Sequence, residues 1–184
     1  MTGFIKIIGG QFKGKKIKVP DAMDLRPTPN RLRESLFNVL QFNIKQAVCL
    51  DAFAGTGALG LEAASRGAAQ VVFLENNAKV YQSLDLTLKA FQHPHLTAIK
   101  TDCLNYLEHC KQKFDVIFLD PPFRQSLWET CILHITQQQL LNEDGILYIE
   151  SPAPIEMNEK FWSLIKRGKM GDVYFGIYQL STEL

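Results

Sequence analysis

Apolar and polar positions follow two different rhythms along this chain. The first 20 residues alternate. Ile5-Lys6-Ile7-Ile8 and Lys16-Ile17-Lys18-Val19 flank Gly9-Gly10 and predict a short hairpin. A polar stretch from Asp21 to Pro29 follows. Thr28-Pro29 then reads as an N-cap with proline at the first helical position, and Leu32, Leu36, Phe37 and Leu40 share one face of the helix behind it. From residue 47 onward apolar runs alternate with helical periodicity. Strands are predicted over 47–53, 71–74, 96–100, 114–119 and 146–149, and helices over 56–66, 77–91, 104–110 and 127–138. Strands that are apolar on both faces and separated by helices specify a doubly wound parallel α/β sheet. The end of the chain departs from this. Residues 163–169 and 173–180 flank Met170-Gly171-Asp172, which predicts an antiparallel hairpin on the sheet edge. The segment 152–162 is irregular, so the sixth strand is the least defined element.

Charge adds an asymmetry. Residues 1–33 carry eight Lys or Arg against two Asp, a balance of +6, whereas the other 151 residues carry twelve against seventeen, a balance of −5. A basic arm on a mildly acidic body suits a polyanion contacting one end of the molecule, although a solvated basic face has the same composition. Arg31 and Arg33 lie in the first turn of the first helix, where cations oppose the helix dipole, which suggests a role other than helix stability. No apolar run is long enough to span a bilayer and no signal-peptide pattern opens the chain, so a cytoplasmic protein is expected. Cys49, Cys103, Cys110 and Cys131 form no C-x-x-C pair, and the four histidines have no metal-ligand spacing, so reduced, mostly buried thiols and no metal are expected.

Two loops carry chemistry. Residues 51–60, D-A-F-A-G-T-G-A-L-G, place Gly55, Gly57 and Gly60 as G-x-G-x-x-G between a strand and a helix. Such a loop lets a ligand approach the backbone at a helix N-terminus, and NAD and S-adenosylmethionine both satisfy it. The acids separate them. Asp51 would repel a pyrophosphate but would favour an ammonium and a sulfonium. Glu75, at the next strand end, can accept from ribose hydroxyls. Asp102-Cys103 follows the third strand, where a carboxylate and a backbone amide can pair with the adenine N6 amino group and N1. Ligands in such sheets lie at the carboxyl ends of the strands, where these three acids fall.

The second loop is Asp120-Pro121-Pro122-Phe123, directly after the fourth strand. Two prolines fix φ and remove two N–H donors, so the loop presents acceptors. The Asp120 carboxylate and the Pro121 carbonyl can together engage both hydrogens of a planar exocyclic NH2, and Phe123 can stack on a base. The loop taken alone is also a plausible strand-terminating turn. The reading from these residues is a methyltransferase acting on an exocyclic amine. DNA adenine and a protein glutamine amide remain alternative targets, although the chain has little room for a DNA-recognition domain. A nicotinamide-dependent oxidoreductase and a noncatalytic RNA-binding module are alternatives of another class.

On I-I-G-G-Q-F-K-G-K-K-I-K-V-P (7–20), L-R-P-T-P-N-R-L-R-E-S-L-F-N-V-L (25–40), L-D-A-F-A-G-T-G-A-L-G-L-E-A-A-S-R (50–66) and D-P-P-F (120–123), the sequence closely resembles the RsmD family of bacterial 16S ribosomal RNA guanine-N2 methyltransferases. The last two segments are common among methyltransferases; the first two are far more specific. The resemblance implies a class I, Rossmann-like methyltransferase of seven strands. It implies an RNA-binding extension over 1–44 and a catalytic domain over 45–184. S-adenosylmethionine would be bound by Asp51, Phe53, Ala54, Gly55, Gly57, Glu75, Asn76, Asp102 and Cys103, and Asp120 to Phe123 would form the catalytic loop. Lys13, Lys15 and Lys16 would hold phosphates, with Arg26, Thr28, Arg31 and Arg33 closing over cofactor and base. Phe12-Lys13 stands where many relatives carry an aromatic–arginine pair. The implied partner is 16S ribosomal RNA in a small subunit or an assembly intermediate, met by a monomer with no membrane contact.

Overall fold

The computed structural model describes residues 3–20, 30–122 and 127–181. Arg26, Thr28 and Phe123, and the proposed N-cap at Thr28-Pro29, lie outside them.

Strands β1 (Phe4–Lys6) and β2 (Lys16–Lys18) form a two-stranded antiparallel hairpin in which Ile5 and Ile17 face each other across the ladder and are buried. Helix α1 (Asn30–Val39) buries Leu32, Leu36 and Phe37, the stripe its periodicity predicts. The main sheet follows, with β3 (Val48–Asp51), β4 (Gln70–Glu75), β5 (Leu96–Lys100), β6 (Phe114–Leu119), β7 (Leu141–Ser151), β8 (Trp162–Met170) and β9 (Val173–Leu180). Its order is β5-β4-β3-β6-β7-β9-β8. Strands β5, β4, β3, β6 and β7 are mutually parallel, and β9 is antiparallel to both its neighbours. This is the mostly parallel seven-stranded sheet with an antiparallel end that the pattern and the resemblance predict.

Helices α2 (Ala58–Ser65), α3 (Ala78–Phe91), α4 (Cys103–His109) and α5 (Leu127–Gln137) cover the sheet. Two apolar clusters divide them. The hairpin, α1, α2 and α3 pack on one face around Phe37, Phe73 and Phe118, whereas α4, α5 and the segment before β8 pack on the other around Phe114, Leu147 and Trp162. The N-terminal extension therefore shares its core with the sheet.

Differences from the predicted elements have local causes. Helix α2 begins at Ala58 rather than Thr56 because Gly57 holds φ +79, a left-handed conformation that cannot continue a helix. Helix α4 starts one residue early, since the Asp102 carboxylate accepts from Asn105 N at 3.1 Å and caps it. Strand β7 is much longer than 146–149. Its first residue, Leu141, pairs with Phe114, and a register shift carries it past the polar Asn142–Asp144 segment that reads as a turn. The sixth strand of the main sheet is β8, and it starts only at Trp162, leaving 152–161 without strand or α-helix. All four cysteines are free and buried, as expected.

Candidate functional site

The strand order reverses at β3, which has β4 on one side and β6 on the other. In a parallel sheet this opens a crevice beyond the carboxyl ends of the strands. Asp51 ends β3 and Glu75 ends β4; Asp102 lies two residues past β5, and Asp120 directly follows β6. Because these strands run in one direction, all four acids reach the same edge.

The glycine loop is held from both sides by carboxylates. The buried Asp51 side chain accepts from Gly60 N at 2.9 Å through Oδ2 and so fixes the first turn of α2 to the end of β3. Burial raises its pKa to about 7, the Gly60 N–H opposes that rise, and the charge of Glu75 adds to it. Glu75 accepts from Gly55 N at 3.1 Å through Oε2 and from Asn77 N at 2.7 Å through Oε1. Burial raises its pKa against hydrogen bonds from Asn77, Gly55 and Asn76. Gly57 is confined: besides its φ of +79, a Cβ there would lie 2.7 Å from Leu84 Cδ1. Asn77 caps α3 by accepting from Lys79 N and Val80 N. Within the loop Phe53 is half-buried and Ala54 buried, and Asn76, just past β4, is exposed. The Cys103 thiol is turned inward, 4.0 Å from Cys131 Sγ, which leaves the backbone N–H in the first turn of α4 as the group able to meet a ligand. The expected residues of the glycine cleft thus converge on one edge, but each carboxylate is already committed to a backbone N–H. Their remaining lone pairs are what a ligand would meet.

Past β6, Asp120 is half-buried, Pro121 buried and Pro122 exposed. The neighbouring strand β7 holds a polar pair that the sequence pattern did not single out. Tyr148 and Glu150 are both buried in β7, and the tyrosine hydroxyl donates to Glu150 Oε1 at 2.8 Å. Burial raises the Tyr148 hydroxyl well above its usual pKa, with the charges of Glu150 and Asp120 adding to it. Asp120 is thus near enough for its charge to act on the Tyr148 hydroxyl. The signal was present in I-L-Y-I-E-S, since Glu150 continues the pattern of an acid near the carboxyl end of each parallel strand.

The basic residues fall elsewhere. Arg33 is buried, not presented to a nucleic acid. Its Nη2 donates to the Lys6 carbonyl at 2.5 Å and to Asn30 Oδ1 at 3.1 Å, and its Nε faces Glu62 Oε2 at 3.8 Å. This corrects its expected RNA contact; a cation in the first turn of α1 is explained by a buried acid on α2. That acid, Glu62, is the centre of the arm's seat. It accepts from Ile8 N and Gly9 N, both at 2.8 Å, and pairs with Arg66 at 2.8 Å. Ser65 adds bonds to Gly9 O and Phe12 N. Gly10, at φ +74, passes so close that a Cβ would lie 1.8 Å from Ser65 O.

Lys13, Lys15 and Lys16 are exposed. Lys15 donates to the Ala90 carbonyl at 2.8 Å and lies 4.1 Å from the centre of the Phe91 ring. That is the carboxyl end of α3, whose 14 residues put it about 21 Å from the cleft end. The tip of the hairpin is therefore not beside the Asp120 loop. Arg31 is exposed in the first turn of α1.

Among the described residues no group of three or more His, Cys, Asp or Glu is placed to hold a metal, and no helix is long and apolar enough to cross a membrane. A hollow of about 300 Å³ lined by Ala47, Asp115 and Gly145 opens at the amino end of the strands, away from this chemistry.

Residues 5–179 match a family model described as Conserved hypothetical protein 95. The chain is 38% identical over 184 residues to the Escherichia coli K12 protein named Ribosomal RNA small subunit methyltransferase D, covering 99% of this chain and 93% of that protein. A Haemophilus influenzae protein of the same name is 37% identical over 96% of this chain and 94% of its own length. The solved Escherichia coli structure of yhhF superposes with a TM-score of 0.91 at 37% identity, over 98% of this chain and all of the other. With the methyltransferase sheet order and the acid-lined glycine cleft in place, this agreement along nearly the whole chain decides its kinship: the protein belongs to the RsmD family.

Proposed function

We propose that the protein methylates the exocyclic N2 amino group of a guanine in 16S ribosomal RNA, using S-adenosylmethionine and acting on an assembled or partly assembled small subunit as a cytoplasmic monomer. One observation carries the reading. The carboxyl ends of β3, β4, β5 and β6 bring Asp51, Glu75, Asp102 and Asp120 to one edge around the left-handed turn at Gly57.

The residues fit that cofactor. S-adenosylmethionine presents an ammonium, a ribose diol and an adenine NH2, all hydrogen-bond donors, and the edge presents carboxylates. The loop 51–60 contains no Lys or Arg that would favour a pyrophosphate. In this reading Glu75 takes the ribose, Asp102 and the Cys103 N–H take adenine, and Asp51 sits near the ammonium while holding α2 in place. When bound, the cofactor supplies an electrophilic methyl on a sulfonium.

The protein's own work is orientation. An aryl amine is a weak nucleophile because its lone pair is delocalised into the ring. Asp120 and the Pro121 carbonyl accept its two hydrogens and turn the lone pair toward the cleft, an interaction that strengthens as the nitrogen becomes pyramidal. The prolines hold these acceptors still, so the reactants meet in a fixed orientation. Asp120 then accepts the proton, which the methylated amine gives up readily. The name and near-complete coverage of the Escherichia coli relative support a small-subunit RNA substrate.

The test is transfer of labelled methyl groups to small subunits from a strain lacking its own enzyme, with nucleoside mass spectrometry of the product. N2-methylguanosine in 16S RNA is expected. Label appearing only in DNA or protein, or as another nucleoside, would refute the assignment.

A further inference from the structure

The hairpin lysines leave a gap in this picture. Lys15 is fixed at the far end of α3 from the cleft, so phosphates flanking a base held at the Asp120 loop need another partner. Strand β8 ends where such a partner is needed. It is antiparallel to β9, which is antiparallel to β7, so β8 runs parallel to β7 and β6 and its carboxyl end reaches the catalytic edge. The register makes this concrete. Leu119, the residue before Asp120, lies in one row with Ile149, Gly176 and Arg167. Three strand spacings separate the ends of that row, about 14 Å, a span that a nucleic-acid strand covers in a few nucleotides.

The composition of β8 changes along its length. Its first half holds Leu164 and Ile165, 49% and 44% exposed, and its second half holds Lys166, Arg167 and Lys169. The hairpin of β8 and β9 contains a single acid, Asp172, in its turn. Cations on an edge strand discourage pairing with another strand, but that need is uniform along the edge, and the apolar half lacks them. Here the charge is gathered at the end nearest the reacting base. The three side chains straddle the edge. Lys166 donates to Ser35 Oγ of α1 at 3.1 Å on one face. Lys169 stands over the Tyr174 ring at 4.7 Å, and Arg167, two residues before it in the strand, shares that other face.

We propose that the carboxyl-terminal half of β8 is a phosphate-binding edge that grips the RNA strand beside the target base, with Arg167 and Lys169 as its principal contacts. The inference rests on the RNA methyltransferase reading above. It divides recognition between two surfaces: β8 holds the backbone next to the reacting nucleotide, and the hairpin meets a more distant part of the particle.

The experiment compares wild type, the double variant Arg167→Ala/Lys169→Ala, its charge-preserving counterpart Arg167→Lys/Lys169→Arg, and Lys111→Ala/Lys113→Ala. The last removes the same charge from the amino edge of the sheet, just before β6. Methyl transfer to small subunits is measured between 50 and 200 mM salt, and affinity for S-adenosylhomocysteine by calorimetry. The alanine pair at β8 is expected to raise KM about tenfold and to make the log–log salt dependence of kcat/KM shallower by roughly 1.5–2, as for two lost phosphate contacts. Its kcat and its S-adenosylhomocysteine affinity should stay within about twofold of wild type. The charge-preserving pair and the amino-edge pair should keep the wild-type slope. An unchanged slope in the β8 alanine pair, or an equal loss in the amino-edge pair, overturns the proposal and leaves the methyltransferase reading intact. Absence of transfer by wild type itself overturns both.

Discussion

Helix α2 meets a polar network at each end, and the two networks differ in partners and in reach. At its amino end Asp51 and Glu75 hold the glycine loop, accepting from Gly60 N and Gly55 N over separations of 9 and 20 residues. These bonds shape a cleft beyond the carboxyl ends of β3 and β4. At its carboxyl end Glu62 and Ser65 hold the N-terminal arm, accepting from Ile8, Gly9 and Phe12 over separations of 53 and 54 residues. That network faces inward, is built around two arginines and a side chain with no exposure, and ends in packing. In the proposed function the acids at the first end also meet the cofactor; the acid at the second serves to seat the arm. The same short helix therefore fixes the position of the arm relative to the cofactor edge.

Substitutions can break this contrast, and the largest effect is expected at the arm. Glu62→Ala would leave two N–H groups without an acceptor and the buried Arg33 without its counter-charge. Urea unfolding should show a loss of about 3–5 kcal/mol. A loss below about 1 kcal/mol would mean that the arm is not seated through this residue. Asp120→Ala should do the opposite. Turnover should fall by roughly 10²–10⁴-fold with unchanged unfolding midpoint and S-adenosylhomocysteine affinity, as single-turnover kinetics and calorimetry would register. Full activity would remove Asp120 from the chemistry.

Asp51 sharpens the comparison through pH. Its pKa is raised to about 7 in the folded protein by burial, against about 3.9 in an unfolded chain. The folded state thus binds this proton more tightly. Its stabilising contribution is complete below about pH 4 and is lost as pH rises toward 7, an effect on the order of a few kcal/mol. Unfolding measured at pH 5 and pH 8 should show a smaller decline in Asp51→Asn than in wild type; parallel declines would place the carboxylate in a more polar setting. The smallest effect belongs to Lys15→Ala. Loss of its bond to Ala90 O and of its ring contacts should cost about 1 kcal/mol, detectable as a small shift in the urea midpoint.

The same contrast explains what the sequence revealed. Strand and helix order, the glycine turn and the acids at strand ends are local patterns, and they were legible because each acid lies within a few residues of the strand whose end it marks. Glu150 follows the same pattern but was not legible, because it lies one strand beyond the glycine and D-P-P-F loops and no motif marks it. Arg33 departs from its expected role for a different reason. Its partner Glu62 is 29 positions away on another helix, and within A-L-G-L-E-A-A-S a lone glutamate looks like an ordinary solvent-facing position. The clue was that α2 is apolar nearly all round, so a polar residue within it had to be buried. The place of the hairpin tip, at the end of α3 far from the glycine cleft, follows from tertiary packing with no local signature.

In the proposed reaction the glycine cleft and the Asp120 loop face one reaction centre. A crystal structure with S-adenosylhomocysteine and guanosine tests it most directly. Adenine is expected beside Asp102, ribose on Glu75, and the sulfur directed at a guanine amino group hydrogen-bonded by Asp120. Sulfur pointing away from that loop, or guanosine bound with its amino group remote from Asp120, would contradict it.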